Sequence, residues 1–191
     1  MINGTAAHGE DFDNTFEGCP VHTGAVVVPA VLAAGERYGL DGGRVVAGIA
    51  AGIEVMCRLG LVAGTHVHSA GFHPTAVLGT FGAAAGIGVA LALPARALVN
   101  AFGISGSMAS GIIEYLADGT WTKRMHAGWA AQSGMRAAVC VGAQDQGWIV
   151  YPQQDEEAFL AGLPDDVRDE FAGVRRTAYA GDAAVTVALM D

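Results

Sequence analysis

Glycine constrains this chain more than any other residue. There are 28 glycines in 191 residues, roughly double the usual share of ~7%, and they lie among alanines inside apolar runs. No Gly-X-Y period accompanies them, which excludes collagen. In "GIAAG" (48–52) and "GAAAG" (82–86) the glycines fall four apart, one above another on a helix face. A stripe of that kind lets two helix backbones approach closely. With 52% hydrophobic and 15% charged residues, the chain has ample material for a core and is not globally disordered.

Helical patterns run through most of the sequence. "TGAVVVPAVLAAGERYG" (23–39) reads as a helix bent at Pro29. "DGGRVVAGIAAGIEVMCRLG" (41–60) follows, with Asp41 as N-cap and Gly60 as stop. The uncharged stretch 74–95 is long enough to span a bilayer, yet it is rich in Gly and Ala and lacks flanking basic clusters and an aromatic belt. We expect it to be a buried central helix. A further helix covers 93–111, with Pro94 in the first turn, and another runs from about Ala127 to Gly142. No clean period-two alternation precedes residue 140. The expected class is all-α, and apolar helices at 44–57 and 74–95 are expected to expose surface that a second copy covers.

The acidity is uneven. Residues 1–140 carry 9 acidic and 7 basic side chains, whereas residues 141–191 carry 10 and 3. The chain therefore divides into a helical part (1–140) and an acidic appendage (141–191), with short amphipathic turns at 155–176 and a strand-like run at 183–190. A net charge of −9 argues against a nucleic-acid partner. Cys19, Cys57 and Cys140 are widely spaced and odd in number, which fits neither a disulfide framework nor a zinc site; a reduced, cytoplasmic setting is expected. No secretory signal pattern is visible at the start.

The polar chemistry begins at once. "INGTAAHGEDFDNTFEGCPVHTGA" packs His8, Glu10, Asp11, Asp13, Glu17 and His22 into a segment with little hydrophobic periodicity. "DFDNT" (11–15) fits the D-x-D-x-T pattern of haloacid-dehalogenase-type phosphatases, where two carboxylates hold magnesium. That arrangement needs a buried strand just before it, and "INGTAAHGE" is not one.

Five blocks in one order are more specific: "NGTAAHGEDFDNT" (3–15), "HTGAVVVPAVLA" (22–33), "GIEVMCRLG" (52–60), "GFHPTAVLGTFGAAAG" (71–86) and "NAFGISGSMASGIIEYLADGTWTKRMHAGWAAQSGMRAA" (100–138). Together they resemble the MmgE/PrpD family, which includes 2-methylcitrate dehydratase, cis-aconitate decarboxylase and iminodisuccinate epimerase. The "SGIIEYLADGTWTKRMHAGWAAQSG" segment is most similar to the 2-methylcitrate dehydratase-like members. The resemblance implies a mostly helical domain, an α+β lid, a homodimer, and a lyase that acts on a small polycarboxylate without metal or other cofactor. The family's site positions fall on Asp11, Thr15, His22, His73 and Lys123. The recognisable blocks end near residue 140, so a partial helical domain without a complete lid is expected.

The residue types suit that chemistry. Dehydrating a hydroxy-polycarboxylate needs a base beside a carboxylate and an acid for the departing hydroxyl, and histidine serves both roles. His73, Lys123 and Arg124 are the expected substrate ligands, because a polyanion needs cations and 123–126 is the densest basic cluster. Trp121 is placed to close the site to water. Plainer roles stand beside these: His73 as a cap for the following helix, His22 as a polar helix start, Asp11 and Asp13 as a solvated loop, and Lys123–Arg124 as a surface pair. His8, His66, His68 and His126 are expected to be structural, although "HVH" (66–68), if extended, would aim two imidazoles one way for a weak metal site. Dehydration, decarboxylation and epimerisation share these motifs. The alternative to an enzyme is an inactive helical fragment that persists as an oligomer or binding module.

Overall fold

A computed structural model of the chain describes residues 1–142; the acidic appendage, with its expected turns and strand-like run, lies outside the described residues. Among the described residues eight helices follow one another: α1 (Ile2–Ala7), α2 (Thr23–Tyr38), α3 (Gly42–Ala63), α4 (His66–Ser69), α5 (Pro74–Ala90), α6 (Ala95–Met108), α7 (Tyr115–Asp118) and α8 (Thr122–Gly142). Among the described residues, β pairing is confined to one isolated antiparallel bridge between Phe72 and Ile112. The class is all-α, as expected.

The central helix is α5. It is apolar on every side because it is enclosed by α2, α3, α6 and α8, the condition that removes the need for a polar face. The expected buried central helix is therefore borne out over Pro74–Ala90, and the expectation that 74–95 exposes apolar surface is corrected there. It also splits, with α5 ending at Ala90 and Pro94 serving as N-cap of α6. Of the two apolar helices, α3 is the one that leaves more apolar surface open, with Val46 67% and Leu61 60% exposed. By length and composition alone, α3 is also a helix that could cross a bilayer. Its inner face instead packs on α5.

The glycine stripes explain that contact. A Cβ built on Gly52 would lie 2.7 Å from the Gly82 carbonyl oxygen, and one on Gly86 would lie 2.8 Å from the Gly48 carbonyl oxygen. The two backbones touch where side chains would stand, so the paired stripes set the α3–α5 spacing. A second pair escaped the sequence reading: a Cβ on Gly4 would lie 2.9 Å from Gly128 Cα, which seats α1 directly on α8.

Helix ends follow local rules in part. The Asp41 side chain accepts from the Arg44 backbone N–H at 3.0 Å, as an N-cap should. Gly60 does not stop α3; it is buried against Cys19, and the helix runs on to Gly64, whose φ of 52° ends it. The opening segment is not all loop, since Ile2–Ala7 is helical. The helix expected from Ala127 begins five residues earlier, at Thr122, which brings Lys123 and Arg124 into its first turn.

Candidate active site

The loop between α1 and α2 carries the carboxylates, and Asn14 fastens it. Its Nδ2 donates to Thr23 Oγ1 at 2.8 Å, and its Oδ1 accepts from the Gly24 backbone N–H at 3.0 Å. Asn14 thereby supplies the cap that His22, the N-cap residue of α2, does not. The His22 backbone N–H donates to Thr75 Oγ1 on α5 at 3.1 Å. Asp11 sits at φ 60°, a left-handed conformation that few residues other than glycine adopt, though Asp tolerates it. In that conformation its carboxylate meets Lys123 Nζ at 2.5 Å.

His73 comes from the opposite side. Residues 71–73 run beside 111–113: the His73 N–H donates to the Gly111 carbonyl at 2.8 Å and the Ile113 N–H to the Gly71 carbonyl at 2.9 Å. Gly111 is required there, because its φ is 133° and a Cβ would lie 2.5 Å from Ala76 Cβ. His73 precedes Pro74 at the start of α5 but makes no side-chain cap hydrogen bond. Its ring is free for other partners.

The two sides meet in one cluster. Asp13 binds two histidines, His8 Nδ1 at 3.0 Å and His22 Nδ1 at 3.2 Å. Asp11 Oδ1 lies 3.8 Å from both His8 Nδ1 and His22 Nε2, and Thr15 Oγ1 is 3.4 Å from His22 Nδ1. His8 is also stacked against His73, with centroids 6.1 Å apart. His73 Nδ1 in turn contacts His126 Nδ1 at 3.2 Å. Tyr115 meets both of those rings edge-on, at 5.5 and 5.7 Å. The structure thus brings Asp11, Thr15, His22, His73 and Lys123 together, with His8 and Asp13 as the links between them. The cluster is open on one side, where Asp11 is 48% exposed, and buried on the other, where His73 is 3% exposed.

Several expectations need correction. His8 and His126, read as structural, are members of the cluster. The signal for His8 lay in its place five residues before Asp13; that for His126 lay in the basic cluster at 123–126. Arg124 does not stand beside Lys123 as a second free cation: its Nε donates to the Gly9 carbonyl, and its guanidinium lies 4.1 Å above the Trp121 ring. It ties the loop to α8. Trp121 is 72% exposed and closes nothing. His66 and His68 are exposed on the short helix α4, where a two-residue spacing turns side chains apart.

Burial and charge set the protonation states. The Lys123 hydrogen bond holds the Asp11 carboxyl below its usual range, against the opposing effect of burial. Burial pushes His73 down to about 3, with His126 adding to the shift. Burial likewise lowers His22, against the pull of Asp13, and lowers His126, with His8 adding to it. It raises Tyr115, helped by Asp11. At neutral pH the site therefore combines a carboxylate at its open edge with uncharged imidazoles able to take a proton. One atom from each of His8, Asp11, Asp13 and His22 lies within 4.8 Å of the others, a donor set that could hold a divalent cation. Asp11 is already paired with Lys123, and Asp13 is in contact with the Nδ1 atoms of His8 and His22.

These shifts predict acid sensitivity. Below the ordinary value of 6.5 the unfolded chain binds protons that the folded His22, His73 and His126 refuse, so stability is full above 6.5 and is lost as the pH falls toward 3. The urea midpoint should drop between about pH 7 and pH 5, and His73→Gln should flatten that slope. A midpoint independent of pH over that range would show that the histidines are not buried as described.

Comparison with known proteins supplies the relatives. The chain is 34% identical over 150 residues to cis-aconitate decarboxylase of Mus musculus, covering 72% of this chain and 28% of that protein. It is 33% identical over 153 residues to the Homo sapiens enzyme (72% and 29%), and 29% identical over 142 residues to that of Aspergillus terreus (71% and 29%). The chain thus spans under a third of the length of these curated relatives. The MmgE/PrpD N-terminal domain matches residues 1–166, past the last block recognisable by eye. With that match over most of its length, a helical core and a cluster built from the same sequence blocks, this chain belongs to the MmgE/PrpD family.

Proposed function

We propose that the cluster is the helical-domain side of a lyase site for a small polycarboxylate. The observation that carries this reading is the convergence of Lys123 with three uncharged histidines and the Asp11 carboxylate. Lys123 offers its charge to a substrate carboxylate at the open edge. His73 takes the proton from the carbon next to a carboxylate: the C–H bond breaks, an N–H bond forms at His73, and the electron pair forms the carbon–carbon double bond. The hydroxyl leaves as water with a proton from the imidazolium form of His22, which Asp13 and Asp11 favour against burial and which solvent at the open edge reprotonates before each turnover. Thr15 and Asp11 hold His22 at that edge. We read the reaction as 2-methylcitrate dehydration. Decarboxylation of cis-aconitate is the second reading, favoured by the relatives at 29–34% identity.

The reading includes a homodimer, supported by the apolar outer side of α3, and light scattering from a stable monomer at micromolar concentration would count against it. The direct test is turnover of 2-methylcitrate, cis-aconitate and iminodisuccinate, followed by mass spectrometry, with histidine NMR shifts as a parallel measure of binding. Turnover of the first should survive prolonged EDTA treatment, because Lys123 supplies the positive charge. Histidine shifts without turnover of any of the three would establish the binding-module alternative. Loss of turnover on chelation, restored by a divalent ion, would assign His8, Asp11, Asp13 and His22 to a metal instead.

A further inference from the structure

The lyase reading assigns no task to His126, yet it is buried and its Nδ1 lies 3.2 Å from Nδ1 of His73. Two neutral imidazoles can share such a contact in only one way: one ring carries its proton on Nδ1, and the other offers an Nδ1 lone pair and carries its proton on Nε2. The tautomers are thus forced to be opposite. Around them the rings are fixed, by Tyr115 edge-on to both and by Gly111, where even a Cβ would come within 3.4 Å of the His126 ring.

The base role given to His73 sets the direction. Among the described residues, the buried side-chain nitrogens and oxygens that are sealed without a partner are His8 Nε2 and Trp129 Nε1. His73 Nε2 makes no hydrogen bond and is not among them, so it is not fully sealed. If His126 donated, His73 would present an N–H there and could not accept a proton. If His126 accepts, His73 presents a lone pair. The imidazolium formed after proton transfer would then keep its Nδ1–H on a neutral acceptor, much as a carboxylate holds the histidine of a serine-protease triad.

We propose that His126 is a positioning residue that accepts the Nδ1–H of His73 and so holds the His73 Nε2 lone pair toward the substrate. The direction of the hydrogen bond rests on the lyase reading, which needs the lone pair on His73, but the tautomer is measured without any turnover, so the two can fail separately. Long-range proton–nitrogen NMR of the full chain reads the tautomer directly. His73 should be protonated at Nδ1 in the wild type, against the Nε2–H preference of free imidazole. His126→Leu should return it to the Nε2–H form, and His126→Asn, whose side-chain oxygen can accept, should keep it at Nδ1. If the lyase reading also holds, His126→Leu lowers kcat by on the order of 10²-fold with KM unchanged, and His126→Asn recovers part of the loss. A wild-type His73 protonated at Nε2 overturns the proposal, as does a His126→Leu chain in which His73 stays protonated at Nδ1. Should His126→Leu fail to fold, the wild-type and His126→Asn spectra still decide.

Discussion

Lys123→Ala is expected to lower kcat/KM for a polycarboxylate by about 10²–10³-fold, the usual cost of removing one preorganised electrostatic contact. Stability should change by no more than about 1 kcal/mol. The small structural effect follows from two opposing terms. A cation in the first turn of α8 is unfavourable to the helix dipole, and its pair with the half-exposed Asp11 is weak by virtue of that exposure. A residue that gives the fold so little, and whose ammonium pairs with the half-exposed Asp11, is the cation we propose for substrate binding. Lys123→Arg should not rescue activity, since a planar guanidinium cannot reproduce a compact ammonium donor in this space. Steady-state kinetics beside urea denaturation measure both halves. A large loss of stability with binding intact would make Lys123 a structural clamp for the Asp11 loop.

Gly52→Ala is expected to destabilise the chain by about 2–3 kcal/mol, while Gly103→Ala stabilises it by about 1 kcal/mol. The substitution is the same and both sites are helix interiors, so propensity alone predicts a gain at each. Packing reverses the sign at Gly52. Its Cβ would lie 2.6 Å from Val27 Cγ1, 2.7 Å from the Gly82 oxygen and 3.2 Å from Gly86 Cα. Two of those three neighbours are backbone, which cannot yield without parting α3 from α5. A Cβ at Gly103 meets nothing within 4 Å. Urea midpoints of the two variants test the pair, and a neutral or stabilising Gly52→Ala would mean that the helices are not in backbone contact. Because α5 carries His73 and Thr75 at its start, any parting of α3 and α5 is also expected to reach the site.

What the sequence determined by itself is local or periodic. The all-α class followed from helical patterns without alternation, the capacity of α3 and α5 for close backbone packing from two glycine stripes of equal spacing, and the start of α3 from Asp41. Each depends on residues within a turn or two of one another, where helix geometry fixes the outcome. The candidate site was legible in part: the sequence blocks pointed to Asp11, Thr15, His22, His73 and Lys123, which the fold gathers in one place. Only the tertiary structure decided which other groups join them. His126 reaches His73 across 53 residues because α8 lies on α5, and His8 enters because Gly4 and Gly128 let α1 sit flush on α8. Packing likewise turned Arg124 from an expected ligand into a tether for Gly9. A sequence records which side chains can ionise or donate. Their burial and partners, which set both pKa and role, are fixed by contacts between helices far apart along the chain.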